Sequence, residues 1–128
     1  MTLKAFLTIS SVIGVLFGLG FLLVPESVSA VYGTPPEVHT ILADRYFGAT
    51  LLTLGLVFWF VRETADKATM RGLLIGFAIG NVIGVIVSIV GTVAGTVNSM
   101  GWTSVALYLV LLAGCAYHLT GDRAGAGV

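Results

Sequence analysis

The sequence predicts an all-α integral membrane protein: a bundle of four transmembrane helices with a short interfacial helix in its first external loop. Three observations predict it. The 128 residues are 57% apolar and only 9% charged, where a soluble domain carries about 25% charge, so the chain cannot clothe a water-facing surface. Mean hydropathy is +1.05. Four apolar stretches, at about 5–24, 41–61, 72–95 and 102–119, each approach the roughly 20 residues a helix needs to cross ~30 Å of hydrocarbon. Lipid offers no partner for a free backbone group, and the stretches lack the alternation of barrel strands, so helices follow. Residues 1–128 then form a single transmembrane domain.

The first span follows Lys4 and ends before Pro25. A basic residue ahead of an apolar run also describes a signal peptide, and Val28 and Ala30 supply small residues at a cleavage-like spacing. The run is longer than a typical signal core, so it is read as a retained helix. Ser10, Gly14 and Gly18 give it a narrow face of small residues. In the loop that follows, Pro25 suits a first helical position and Gly33 a position just past a helix end. Between them Val28, Val31 and Tyr32 share one face of a short helix suited to the membrane interface. Pro35-Pro36 then forces extended chain before the second span.

The second span opens on Asp44-Arg45. An ionisable residue in a membrane span is by default a candidate for function. At about 100° per residue, Gly48 and Gly55 fall about 40° and 20° from Asp44, with Arg45 about 100° away. Both charges thus straddle the small-residue stripe expected to face the bundle. Sequence neighbours diverge on a helix, so each charge needs its own partner. Glu26 and Glu37 are the acidic candidates for Arg45. A local structural anchor is the plainer reading of this pair, and a binding site the sharper one.

A charged, polar loop at 62–71 leads to the third span, where Gly72, Gly76, Gly80, Gly84 and Ser88 recur at every fourth position. Gly91 and Gly95 continue that face. Small residues at this spacing let helix backbones meet closely in lipid. The stripe serves either the chain's own bundle, with Ser10, Gly14 and Gly18 as its partner, or a contact between subunits. Asn81 sits at mid-span, where an amide acts as interhelical glue or contacts a ligand. An uncharged loop at 96–101 precedes the fourth span, in which Ser104, Tyr108, Leu111, Cys115 and His118 share one side. Cys115 is read as a small buried hydrophobe, and His118 as an interfacial residue within reach of water. The Gly/Ala-rich tail at 121–128 is expected to fray.

Charge sets the orientation. Lys4, Arg62, Lys67, Arg71 and Arg123 fall on one side of a four-span topology and only Arg45 on the other. The positive-inside rule then puts both termini in the cytoplasm. Zero net charge gives no reason to expect nucleic acid. One cysteine excludes an internal disulfide, and the two histidines, His39 and His118, lie on opposite sides, which excludes a two-His metal site. No nucleophile–base set can be assembled.

Pro25-Glu26, Tyr32-Gly33, Arg45-x-x-Gly48 heading an apolar helix, and Asn81 together give a chain that resembles small bacterial DoxX-like membrane proteins over most of its length. The resemblance implies a four-helix fold. Through relatives associated with thiol or thiosulfate oxidation, it also implies a quinone-linked redox subunit as one alternative.

The favoured function is non-enzymatic: assembly in the cell membrane by helix packing, as an accessory subunit or homo-oligomer, with the lipid bilayer as a partner and no cofactor or metal. Gly14, Gly18, Gly48, Gly55, Gly72, Gly76, Gly80, Gly84 and Ser88 are its packing residues. The alternative is a binding or transport module for a small amphiphile or anion, built on Asp44, Arg45, Asn81, Tyr108 and His118 around a cavity open to the outside.

Overall fold

A computed structural model describes residues 1–64 and 66–123. The described chain is helical: α1 (Leu3–Leu23), α2 (Pro25–Tyr32), α3 (Val38–Val61), α4 (Lys67–Val93) and α5 (Gly101–Arg123). Four of these, all but α2, are long and apolar enough to cross a membrane. Each begins before the apolar run that predicts it, because hydropathy marks the stretch fit for hydrocarbon while the helix continues into its polar flank. At α4 that flank starts at a cap. The Thr69 amide and hydroxyl both donate to Asp66 Oδ2, the amide at 2.9 Å, which satisfies a donor that the first helical turn leaves orphaned. Most of the tail expected to fray, 124–128, lies outside the described residues.

Contacts divide the chain into two compact units, one spanning Leu3–Glu63 and the other beginning at Thr64. The first is an α1–α3 antiparallel hairpin with α2 at its turn. Its seam is made of glycine. A Cβ placed on Gly18 would lie 2.6 Å from the Leu52 amide nitrogen, and one on Gly48 would lie 2.7 Å from the Gly18 carbonyl oxygen. Gly14 and Gly55 meet in the same way, with 3.1 Å from a Gly14 Cβ to the Gly55 Cα. Backbones that close leave no room for a side chain at Gly18, Gly48 and Gly55, and at Gly14 a methyl group would fit only if its neighbours gave by a few tenths of an ångström. The approach also lets Ser11 Oγ donate to the Gly55 carbonyl at 2.7 Å, in a buried position. Phe21 and Phe47 stack edge to face at 4.9 Å. Lys4 Nζ and Glu63 Oε1, at 2.7 Å, tie the open ends together.

This corrects one expectation. Gly14 and Gly18 do not serve the stripe of the third span; they are spent on Gly48 and Gly55. Small-residue faces are interchangeable in shape, so spacing alone does not choose between two candidate partners.

Pro25 occupies the first turn of α2, and Gly33, at φ 71°, closes it in the left-handed region that favours glycine. The Gly33 and Thr34 amides return to the carbonyls of Ala30 and Ser29 at 3.2 and 3.0 Å. Pro25 and Ser29, four residues apart, are the buried face of α2, while Val31 stays exposed.

The second unit is the α4–α5 pair. Met70, Leu74 and Asn81 of α4 are buried, as are Val105, Leu111, Cys115 and His118 of α5. The Tyr108 ring lies across Gly84, where an added Cβ would come within 2.5 Å of it. At the turn, Gly95 takes φ 77°, and the Thr96 amide reaches back to the Gly91 carbonyl at 3.0 Å. Lower on α4, Gly72, Gly76 and Gly80 are exposed. Among the described residues, nothing lies within 4 Å of where their Cβ atoms would be.

Candidate functional site

The sequence pointed to the mouth of the second span, and there the two charges part company. Ser29 Oγ on α2 donates to Asp44 Oδ2 at 3.0 Å. Ser29 is 2% exposed, and its carbonyl also accepts from the Thr34 amide and hydroxyl. Asp44 therefore pins the short helix onto α3. Arg45 does not join in. It is exposed, and among the described residues it forms no ion pair with Glu26 or Glu37. The helical wheel explains the difference, since Asp44 lies much nearer Gly48 and Gly55 than Arg45 does. The residue on the seam is held, and the one on the shoulder turns out.

Asn81, Tyr108 and His118 belong to the second unit. Asn81 is 2% exposed, yet its Nδ2 donates to the Phe77 carbonyl of its own helix at 2.8 Å. A bond to the carbonyl four residues back satisfies the donor locally. Tyr108 spends its ring on Gly84. The α5 stripe does face inward: Leu111 is 8% and Cys115 0% exposed. His118 belongs to the same buried face at 6% exposed, so the expectation that it reaches water is corrected. Its ring meets that of Tyr117 edge to face at 5.0 Å. Ser88 presents its carbonyl to the Thr92 hydroxyl at 2.7 Å.

One cluster was missed from sequence. At the end of the first hairpin that carries both termini of the pair, the Arg62 guanidinium lies over the Trp59 ring, with Cζ 3.3 Å from its centroid. Arg62 Nη1 is buried with no hydrogen-bond partner. Beside it, Glu63 is held by Lys4; that hydrogen bond, then the charges of Lys4 and Arg62, push its carboxyl below the ordinary value. The signal was present in the i, i+3 spacing of Trp59 and Arg62, which the contrast of apolar span and polar loop hid.

Fold and side chains together define a small all-helical protein whose main helices have the length and composition of membrane spans. The chain belongs to the family described as a domain of unknown function, DUF8292, whose model matches residues 8–123. That match runs from the second turn of α1 to the end of α5. No curated protein and no solved structure matches the chain.

Proposed function

We propose that this chain is a multi-pass integral membrane protein, with both termini cytoplasmic and α2 in the external interface, that acts by self-assembly through α4 rather than by catalysis. The observation that carries this reading is the open row Gly72, Gly76 and Gly80. The first hairpin supports it by example: the same residue type at similar spacing is closed there, backbone on backbone. Around the open row, Ile75, Ile79, Ile83 and Val87 are exposed. A row of small residues is self-complementary, so a second copy presents a matching surface across a two-fold axis. The DoxX-like resemblance fits the same four-span topology.

Sedimentation or light scattering in mild detergent tests the proposal. Wild-type protein is expected to be dimeric or larger. Gly76→Leu, which fills the row, is expected to weaken association at least about tenfold, or ~1.4 kcal/mol. A monomeric wild type, or association unchanged in the variant, overturns it.

A second reading draws on Arg45, which is exposed at the mouth of α3. An arginine there is suited to an anion or an anionic amphiphile. Arg45→Ala should then lose a co-purifying anionic ligand while remaining folded. Unchanged ligand content excludes this reading.

A further inference from the structure

The first hairpin carries a groove, about 250 Å³ in volume, lined by Ser11, Val12, Val15, Leu16, Leu56 and Trp59. Apart from the Trp59 indole N–H, Ser11 brings the one polar group to this lining, and its hydroxyl is already committed to the Gly55 carbonyl. The groove therefore offers a ligand mainly apolar contact. Its volume is smaller than the ~300–1,000 Å³ of a typical small-molecule pocket, and its lining runs along two helices. Both features suit a segment of a single alkyl chain better than a compact polar molecule.

At one edge of the groove stands Trp59, and over Trp59 stands Arg62. The stacking holds the planar guanidinium in place. Its Nη1 has lost water without gaining a hydrogen-bond partner, while the residue as a whole keeps partial exposure. The nearest acid in sequence, Glu63, is engaged by Lys4 at 2.7 Å. The cluster thus lacks one anion, next to a slot that takes one apolar chain. A guanidinium fork matches the oxygens of a phosphate.

We propose that this groove is a binding site for an anionic phospholipid: one acyl chain lies along Val12, Val15, Leu16 and Leu56, and the phosphate meets Arg62. The site goes beyond self-assembly through α4 and rests only on the membrane-spanning part of the functional reading. In that topology Arg62 is at the cytoplasmic surface, where anionic lipids concentrate and a basic residue attracts them. Trp59 is then at the depth where tryptophans gather at a membrane boundary.

Tryptophan quenching tests the site. The chain has two tryptophans, so Trp102→Phe leaves Trp59 as the only reporter. The full-length variant is placed in phosphatidylcholine vesicles containing a minority of phosphatidylglycerol, with bromine on the acyl chains of one lipid or the other. Brominated phosphatidylglycerol is expected to quench Trp59 as a lipid bound with about fivefold preference. High salt or Arg62→Gln should bring the preference close to unity, and Arg62→Lys should retain part of it. Equal quenching by the two lipids in the Arg62 protein overturns the proposal, as does a preference that survives both Arg62→Gln and high salt. Salt acts on the unaltered residue, so that arm decides the matter even if Arg62→Gln fails to fold. Absence of quenching by either lipid would overturn membrane insertion itself, a result distinct from equal quenching.

Discussion

Gly18→Ala adds one methyl group at the tightest point of the α1–α3 seam. The new Cβ would lie 2.6 Å from the Leu52 nitrogen and 2.9 Å from both the Gly48 carbonyl oxygen and the Leu52 Cα. All three are backbone atoms, so no side chain can swing aside. Ordinary contact begins near 3.4 Å, and the helices must part by about 0.8 Å there. Overpacking of this kind costs typically 1–3 kcal/mol. The same opening would stretch the 2.7 Å bond from Ser11 to the Gly55 carbonyl to about 3.5 Å, beyond useful strength. Losing an interhelical bond in a membrane protein adds roughly 0.6 kcal/mol. The expected loss is therefore about 2–3 kcal/mol, read from unfolding of the detergent-solubilised chain by a denaturing detergent. Gly121→Ala is the matched control, because its Cβ meets nothing within 4 Å and it lies outside the α4 row, and it should be no less stable than the wild type, since a helix favours alanine over glycine. A Gly18→Ala variant no less stable than Gly121→Ala would refute the close-packed seam.

Three further outcomes are expected. Ser29→Ala removes the hydroxyl that Asp44 accepts from and should cost about 1–2 kcal/mol, with faster amide exchange across α2 as the local readout; unchanged exchange would mean that the bond does not hold the helix. Glu63 and Asp66 both titrate below their ordinary values of 4.5 and 3.8, Glu63 chiefly through Lys4 and Asp66 through Thr69. Their contribution is present in full above those ordinary values and fades as pH falls through the lowered ones, so the melting temperature should drop on acidification and Glu63→Gln with Asp66→Asn should flatten that limb. Cys115, 0% exposed, should react with a maleimide only once the protein is denatured, and rapid labelling in mild detergent would contradict the buried face of α5.

Much of this fold is legible in the sequence because each element is announced by local chemistry. Apolar runs announce the long helices, and Pro25 with Gly33 bound α2 at the residues where the structure starts and stops it. The four- and three-residue spacing of Leu111, Cys115 and His118 reveals the buried side of α5. Pairing is harder to read. Gly14 and Gly18 could have met either of two small-residue helices, and only three-dimensional fit selects Gly48 and Gly55. The Asp44–Arg45 site was legible in part: its acid faces the seam and is held from α2, whereas its base turns outward. Asn81 illustrates a different limit, since an amide that can bond its own helix leaves no trace of that choice in the sequence. The Trp59–Arg62 stack escaped notice because it joins the last residues of a span to the first residue of a loop.

The seam of the first hairpin also bears on how the chain is made. All of its closing contacts, from Gly18 on Gly48 to Lys4 on Glu63, lie within the first 63 residues. A ribosome delivering the chain from its N-terminus has released both halves of that seam before α4 follows. The hairpin can zip shut while the second unit is still being synthesised. Its glycines can thus be buried against one another before Gly72, Gly76 and Gly80 emerge.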